Sequence, residues 1–481
     1  MMFKNSRDAN LEAQAGQVAV SRRSLLQSAT SGLGLLALAS TASAAAPRPL
    51  APKQPHFVPL AKRVIFLCMR GGPSHVDLFD HKPILQQRSG ERVDNKRGFA
   101  RWLGSPFKFA QHGESGLWIS EVFPRLARHA DKLCVINSMH TDLPNHPQAF
   151  LQLHTGSFQF VRPSLGAWTL YGLGTENENL PGFITLNPPA DFGGARNYGN
   201  AFLPAFYQGT KIGGGQIPAL YAALLGTDQE PGPPLKNISN VDLSPAQQRA
   251  QLELIKSLDQ RKLRRDQRRP EIEGAVESFE LAFRMQDEVP KGLDLRSESK
   301  RVRELYGVGQ GKLDRFARQC LTARRLVEAG TRFVEVTAPV DWDHHRNLKK
   351  ALSDNCAATD RAIAGLLTDL QQRGMLEDTL VVWAGEFGRT PYAQGLDGRD
   401  HNHRGYTVWL AGGGTRGGVA HGATDEFGRQ AVEKPVHLHD LHATILRLLG
   451  LDHTRLTYNH AGREFRLTDV RGEVVSEIIR S

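Results

Sequence analysis

The stretch Val64-Ile65-Phe66-Leu67-Cys68-Met69, followed without a break by Arg70-Gly71-Gly72-Pro73-Ser74-His75-Val76-Asp77, decides how the rest of the chain is read. Six consecutive apolar residues ending at a Gly/Pro turn describe a strand buried on both faces, because a half-exposed strand would alternate. Four more runs have the same character: Leu133–Ser138, Arg332–Thr337, Thr379–Ala384 and Thr407–Ala411. Helical periodicity lies between some of them. Over Asn355–Arg373, residues Ile363, Leu366, Leu367 and Leu370 share one face, and Gly374 supplies the stop. Buried strands alternating with helices predict an α/β fold, a mainly parallel β-sheet flanked by helices on both faces.

In such sheets ligands bind beyond the carboxyl ends of the strands, and here those ends are rich in polar groups. Ser74, His75, Asp77 and Asp80 follow the first strand, and His140, Asp142 and Asn145-His146-Pro147 follow the second. Asp341-Trp342-Asp343-His344-His345 follows the third, and Glu386-Phe387-Gly388-Arg389 the fourth. Arg399-Asp400-His401-Asn402-His403 stands just before the fifth. A single loop His or Asp is ordinarily a cap or turn residue, but five such segments together point to a metal site. Mixed carboxylate and imidazole ligands suit zinc, manganese or iron better than magnesium or calcium. Paired metal sites of this kind serve phosphoryl or sulfuryl hydrolysis.

Composition bounds the alternatives. The chain has 481 residues, 60 Lys+Arg against 50 Asp+Glu for a net charge of +10, 40% hydrophobic and 23% charged residues. These values exclude wholesale disorder, a rod or a polytopic membrane protein. The densest basic cluster, Arg261 to Arg269, continues a helix that Ser244-Pro245 should start. No aromatic residue interleaves with it, so it reads as a solvated helix face and not as a nucleic-acid surface. Ser21-Arg22-Arg23-Ser24-Leu25-Leu26, a weakly apolar run and Ala42-Ser43-Ala44 read as a twin-arginine (Tat) export signal. Gln27, Ser28, Ser31 and two glycines make the run a poor membrane span. Cys68, Cys134, Cys320 and Cys356 lack metal-type spacing and read as buried thiols, one disulfide being compatible with export. None of the 18 histidines falls between His154 and His344. Much of that interval, with its Gly/Pro-rich stretch from Pro181 to Pro234, therefore reads as an insertion or cap. The organisation is a signal peptide over 1–44, a linker over 45–60 and one domain over 61–481, with the insertion at about 175–300.

The segments Cys68–Pro83, Trp342–His345, Gly385–Pro391, Gly398–His403, Ala411–Gly418 and His439–Asp452 resemble the exported proteins of domain-of-unknown-function family 1501. That family is similar to the alkaline phosphatase/sulfatase superfamily, so the resemblance implies an alkaline-phosphatase-like fold. In the superfamily an aspartate and a histidine after a middle strand bind one metal; Asp343 and His345 match, with His344 competing. A later strand usually ends in Asp-His at a second metal, where Glu386-Phe387 stands here. A downstream metal histidine is matched by His401, with Asp400 beside it. The first strand usually ends in a metal-binding aspartate; Arg70-Gly71-Gly72 occupies that place, and Ser74, His75 and Asp77 are the nearest substitutes. Counting back from Thr155-Gly156 puts His146 at the nucleophile position of sulfatases, with Pro147 opening a helix whose free N–H groups would face an anion and favour a neutral imidazole.

The expectation is thus a Tat-exported, periplasmic or extracellular metal-dependent hydrolase of phosphate or sulfate esters. Its substrate would be an anionic ester, such as a sulfated or phosphorylated glycan or small molecule. Asp77, Asp343, His345, Glu386, Asp400 and His401 are the candidate ligands for zinc or manganese. Arg389 would bind the anion, and His146 and Ser74 are the candidate nucleophile or acid/base groups. Its only other partner would be the Tat translocase during export, with no nucleic acid and no stable transmembrane span. The competing expectation is a non-enzymatic exported binding or assembly protein on a degenerate hydrolase scaffold. A carbohydrate-surface protein finds no organised support in the six tryptophans.

Overall fold

The computed structural model describes residues 49–93, 100–213, 242–266 and 270–480, without side chains for parts of the 242–290 region. The expected Tat signal, residues 45–48 of the expected linker, part of the Gly/Pro-rich stretch and the side chains of the Arg261–Arg269 cluster lie outside the described residues.

The strands used below, in chain order, are β1 (Arg63–Cys68), β2 (Leu133–His140), β3 (Phe183–Leu186), β4 (Thr210–Ile212), β5 (Phe333–Thr337), β6 (Thr379–Ala384), β7 (Gly388–Gln394), β8 (Gly398–Asn402), β9 (Tyr406–Ala411), β10 (Val419–His421) and β11 (Val436–His437). Among the described residues nine of these form one sheet in the order β10-β2-β9-β6-β1-β5-β3-β4, with β11 also pairing β2. Every pairing is parallel except those of β9, which runs antiparallel to both β2 and β6. The five buried runs of the sequence are thus strands of one mainly parallel sheet. β3 and β4 lie inside the 175–300 segment, so that segment is continuous with the sheet as far as Ile212. β7 and β8 form a separate antiparallel hairpin, where the sequence had suggested loops.

The helices used below are α1 (His146–Thr155), α2 (Leu165–Leu173), α3 (Pro245–Asp266), α4 (Pro270–Leu293), α5 (Asp314–Glu328) and α6 (Leu348–Gln372). α3 begins at its expected cap, where Ser244 and Gln247 exchange side-chain and backbone bonds. α6 starts seven residues earlier than the sequence suggests, because Leu348 and Leu352 extend its buried stripe. All four cysteines are buried and free, and no described helix is long and apolar enough to cross a membrane.

The topology gathers one edge. Register sets Cys68 beside both Thr337 and Ala384, so β1, β5 and β6 end level and their following loops meet. Because β9 runs the other way, the hairpin that precedes it arrives at the same edge. The hairpin is pinned from below by an ion pair in which both partners are fully buried. Arg399 Nε and Nη2 donate to the two oxygens of Asp77 at 2.7 and 3.0 Å, and Ser74 Oγ adds a bond to Asp77 at 2.5 Å. Asp77 and Ser74 are therefore a strut between the first loop and the hairpin, and not the metal ligand and acid/base group the sequence suggested. Asp77→Ala would leave the Arg399 guanidinium buried and unpaired, and the expected loss is about 3–5 kcal/mol. Urea denaturation measures it; a loss below about 1 kcal/mol would contradict the strut.

Candidate metal centre

Asp343 Oδ1 is the meeting point of the edge. His345 Nε2 lies 2.8 Å from it, His146 Nε2 3.2 Å and His401 Nε2 3.4 Å. The Nε2 atoms of His345 and His401 are themselves 3.0 Å apart. The ligand-type atoms of these four residues all lie within 4.8 Å of one another. Each element is placed by local chemistry. α1 starts at His146 because the Asn145 side chain caps Gln148 N and Pro147 fits the first turn, and it ends at Gly156 in the left-handed conformation. His401 sits beyond a slip in the β7–β8 register at Asp400, a local irregularity of the kind that re-aims a side chain.

The far nitrogen of each ring is held by an oxygen. His146 Nδ1 donates to Glu386 Oε1 at 2.6 Å, His401 Nδ1 to the Pro144 carbonyl at 2.6 Å, and His345 Nδ1 to Gln394 Oε1. A carbonyl or carboxylate can only accept, so in the neutral rings the Nε2 lone pairs point inward, at a carboxylate oxygen. Lone pairs converging on an anion require positive charge between them. Metal-bound histidines have this arrangement, with Nδ1–H fixed by an outer oxygen. Three imidazoles and a carboxylate fit zinc, manganese or iron.

Without a cation a proton takes that place. Burial opposes the charged ring of His146, but its bonds to Asp343 and Glu386 prevail and raise its pKa to about 9. The neutral imidazole expected at a helix N-terminus is thus overruled by two carboxylates. Burial also works against the Asp343 carboxylate, yet His146, His401 and the Arg389 charge hold it far below the usual carboxylate range.

Several sequence expectations are redistributed. Glu386 is fully buried, accepts Gly71 N at 3.0 Å and orients His146; it stands behind that ring and outside the group of four candidate ligands. Arg389, expected to meet an anion, is fully buried with every nitrogen engaged. Nε donates to the Gly72 carbonyl at 2.9 Å, Nη1 to that of Arg399, and Nη2 to the Gly71 carbonyl and to Asp343 Oδ1 at 2.5 Å. Asp400 turns back to its neighbour, accepting His401 N at 2.8 Å. His344 faces Asn355, and His75 the Gly428 carbonyl. Gly71 has φ +106°, and a Cβ there would lie 2.7 Å from Asp343 N, so only glycine lets the loop after β1 pass so close to the Asp343 loop.

Residues not foreseen complete the centre. Phe192 stacks on His146 with ring centroids 5.1 Å apart, and the Arg70 guanidinium lies over the Phe192 ring at 4.8 Å, paired to Asp191 and Asp341. Phe387 packs against both His146 and His401. An open cleft of about 610 Å³ leads away from His345, lined by Arg346, Asn347, Gln394, Leu396 and Asp397. The Phe192 loop lies in the Gly/Pro-rich stretch from Pro181 to Pro234, where Gly193 and Gly194 follow Phe192 directly.

The model of a family described as "Protein of unknown function (DUF1501)" matches residues 61–479. No curated protein matches the chain in sequence. Among solved structures the chain is similar to the lipoteichoic acid synthase LtaP from Listeria monocytogenes (10% identity, 87% of this chain and 78% of that one, TM-score 0.34). It is also similar to a sulfatase from Pseudoalteromonas sp. (12% identity, 68% and 62%, TM-score 0.31). A third likeness is to the alkaline phosphatase of the Antarctic bacterium TAB5 (12% identity, 82% and 99%, TM-score 0.33).

Glu386→Gln keeps the shape of the residue but removes the charge that fixes the His146 ring. Zinc affinity measured by competitive chelation should fall about 10–100-fold, with far-UV circular dichroism unchanged; unaltered affinity would place Glu386 outside the centre.

Proposed function

We propose, from the premise that the chain belongs to the family described as protein of unknown function DUF1501, that it is a metal-dependent hydrolase of phosphate or sulfate esters. The observation that carries this reading is the convergence of three Nε2 atoms on Asp343 Oδ1, each ring braced from behind. A divalent ion bound there supplies Lewis acidity toward an ester oxygen and lowers the pKa of water. The protein's own groups do the rest. Glu386 and Pro144 hold the ring protons of His146 and His401 outward, so that the inner nitrogens stay free to bind. Arg389 neutralises part of the Asp343 charge and fixes the first loop. Phe192 and Phe387 shield the rings, and the cleft beside His345 is the route for an anionic ester, a phosphorylated or sulfated glycan or small molecule.

In this reading His146 is a ligand and not a covalent nucleophile, since both ring nitrogens are already committed. Protein stripped by chelator and reloaded with zinc or manganese should hydrolyse p-nitrophenyl phosphate or sulfate. Asp343→Ala with His345→Ala should reduce turnover to background, and intact-mass analysis during turnover should find no adduct on His146. Reloaded protein inert toward phosphate and sulfate esters, including sulfated oligosaccharides, would instead favour a binding or assembly protein. The burial of Arg389 on the chain's own carbonyls speaks for that second reading, because it leaves this guanidinium no nitrogen for a substrate.

The proposal includes export to the periplasm or beyond by the Tat pathway, which rests on Arg22-Arg23 and the small residues at Ala42-Ser43-Ala44. Arg22-Arg23→Lys-Lys should stop accumulation outside the cytoplasm, since the receptor reads paired guanidinium groups and not charge alone. Cell fractionation with immunodetection checks it, and undiminished export of the variant would refute it.

A further inference from the structure

The face of the sheet beneath α1 and α2 holds polar groups that the Asp343 centre does not use. The β1–β5 register sets Phe66 opposite Glu335 and Cys68 opposite Thr337, so Cys68 and Glu335 project from the same face. α1 lowers His154 onto that face, eight residues and about 12 Å along the axis from His146. The sulfur of Cys68, a ring nitrogen of His154 and a carboxylate oxygen of Glu335 lie within 4.8 Å of one another. Cys68 is fully buried, and His154 and Glu335 are 5% and 2% exposed.

The bonding there is incomplete in one consistent sense. His154 Nδ1 donates to the Phe150 carbonyl at 2.7 Å, so the lone pair of the neutral ring is on Nε2. That atom is buried without a hydrogen-bond partner, 3.3 Å from Glu335 Oε1. Beyond it, Glu335 Oε1 meets only the hydroxyls of Thr185 and Thr337, each at a distant 3.5 Å. The Asn197 Oδ1 atom, also buried and unpartnered, belongs to a residue lining the same small cavity as His154 and Glu335. Buried polar groups are ordinarily satisfied, and every unmet atom here is an electron-pair donor. A proton on Nε2 would serve one of them; a cation would serve all.

We propose that Cys68, His154 and Glu335 form a second, buried metal site for a zinc-class divalent ion, with the amide oxygen of Asn197 at its open side. Thiolate, imidazole and carboxylate together select zinc over magnesium or calcium. The thiol proton leaves to solvent on binding, and thiolate plus carboxylate then cancel the ion's two charges, so the loaded site is neutral, as its burial demands. The ion ties β1, β5 and α1 together. Asn197 Nδ2 also donates to the Phe192 carbonyl at 3.0 Å, which links the site to the ring stacked on His146. The role is structural and does not depend on the reaction assigned to the Asp343 centre.

Cobalt substitution tests the site, because the Asp343 centre contains no sulfur and a thiolate-to-cobalt charge-transfer band in the near ultraviolet reports this site alone. Full-length protein stripped by chelator and loaded with Co2+ should show the band. It should persist in Asp343→Ala/His345→Ala and vanish in Cys68→Ser. Bound zinc should fall by one equivalent in Cys68→Ser and in Glu335→Gln, and the Asp343→Ala/His345→Ala protein should retain one equivalent. Wild-type protein saturated with Co2+ yet lacking the band would overturn the proposal without recourse to any variant. A band that survives Cys68→Ser, or zinc content equal in wild type and Cys68→Ser, would do the same.

Discussion

One carboxylate oxygen, Asp343 Oδ1, organises the edge of this molecule. Three imidazole nitrogens and a guanidinium surround it, and no such assembly is stable unless positive charge balances the lone pairs that face it. The surrounding architecture serves to keep those groups in place. Arg389 spends its remaining hydrogen bonds on the carbonyls of Gly71, Gly72 and Arg399, lashing the first loop to the hairpin. Glu386 reaches Gly71 N on one side and His146 on the other. The buried Asp77–Arg399 pair secures the same two segments one layer lower. Each charge in this region is thus held both by an opposite charge and by further hydrogen bonds to the backbone or to a neighbouring side chain.

The sheet was legible in the sequence where strands are continuous apolar runs, and β1, β2, β5, β6 and β9 were found to within a residue or two. Strands of two to four residues such as β3, β4, β10 and β11 carry too few side chains to show a period. The β7–β8 hairpin was hidden for a different reason: Arg389, Arg399, Asp400, His401 and Asn402 look like a loop, and only the buried partners of the two arginines make a strand of them. The direction of β9 was equally invisible, since an apolar run reads the same in either sense.

The centre was legible by residue type and not by role. His146, Asp343, His345 and His401 are brought together. Glu386 and Arg389 lie beside them as braces, because a sequence does not say whether a carboxylate sits on the inner or the outer nitrogen of an imidazole. Ser74, Asp77 and Asp400 belong to segments that reach the right edge, yet Ser74 turns to Asp77, Asp77 to Arg399 and Asp400 to the backbone. The start of α1 was marked by Pro147, one residue from its observed first residue, a local signal that tertiary contacts did not override.

The antiparallel strand has a consequence for the birth of the molecule. β1 and β2 are made early, but in the sheet they are separated by β6 and β9, and β9 comprises residues 406–411 of the chain. On the ribosome, β2 has no inner neighbour to pair with until more than four-fifths of the polypeptide has emerged. The hairpin that delivers His401 comes only just before that strand. Such sequence-distant pairing makes for slow folding, and a nascent chain interrupted before residue 406 exposes an unpaired apolar edge at β2. Strand order and the gathering of His146, Asp343, His345 and His401 thus both wait for the last fifth of the chain.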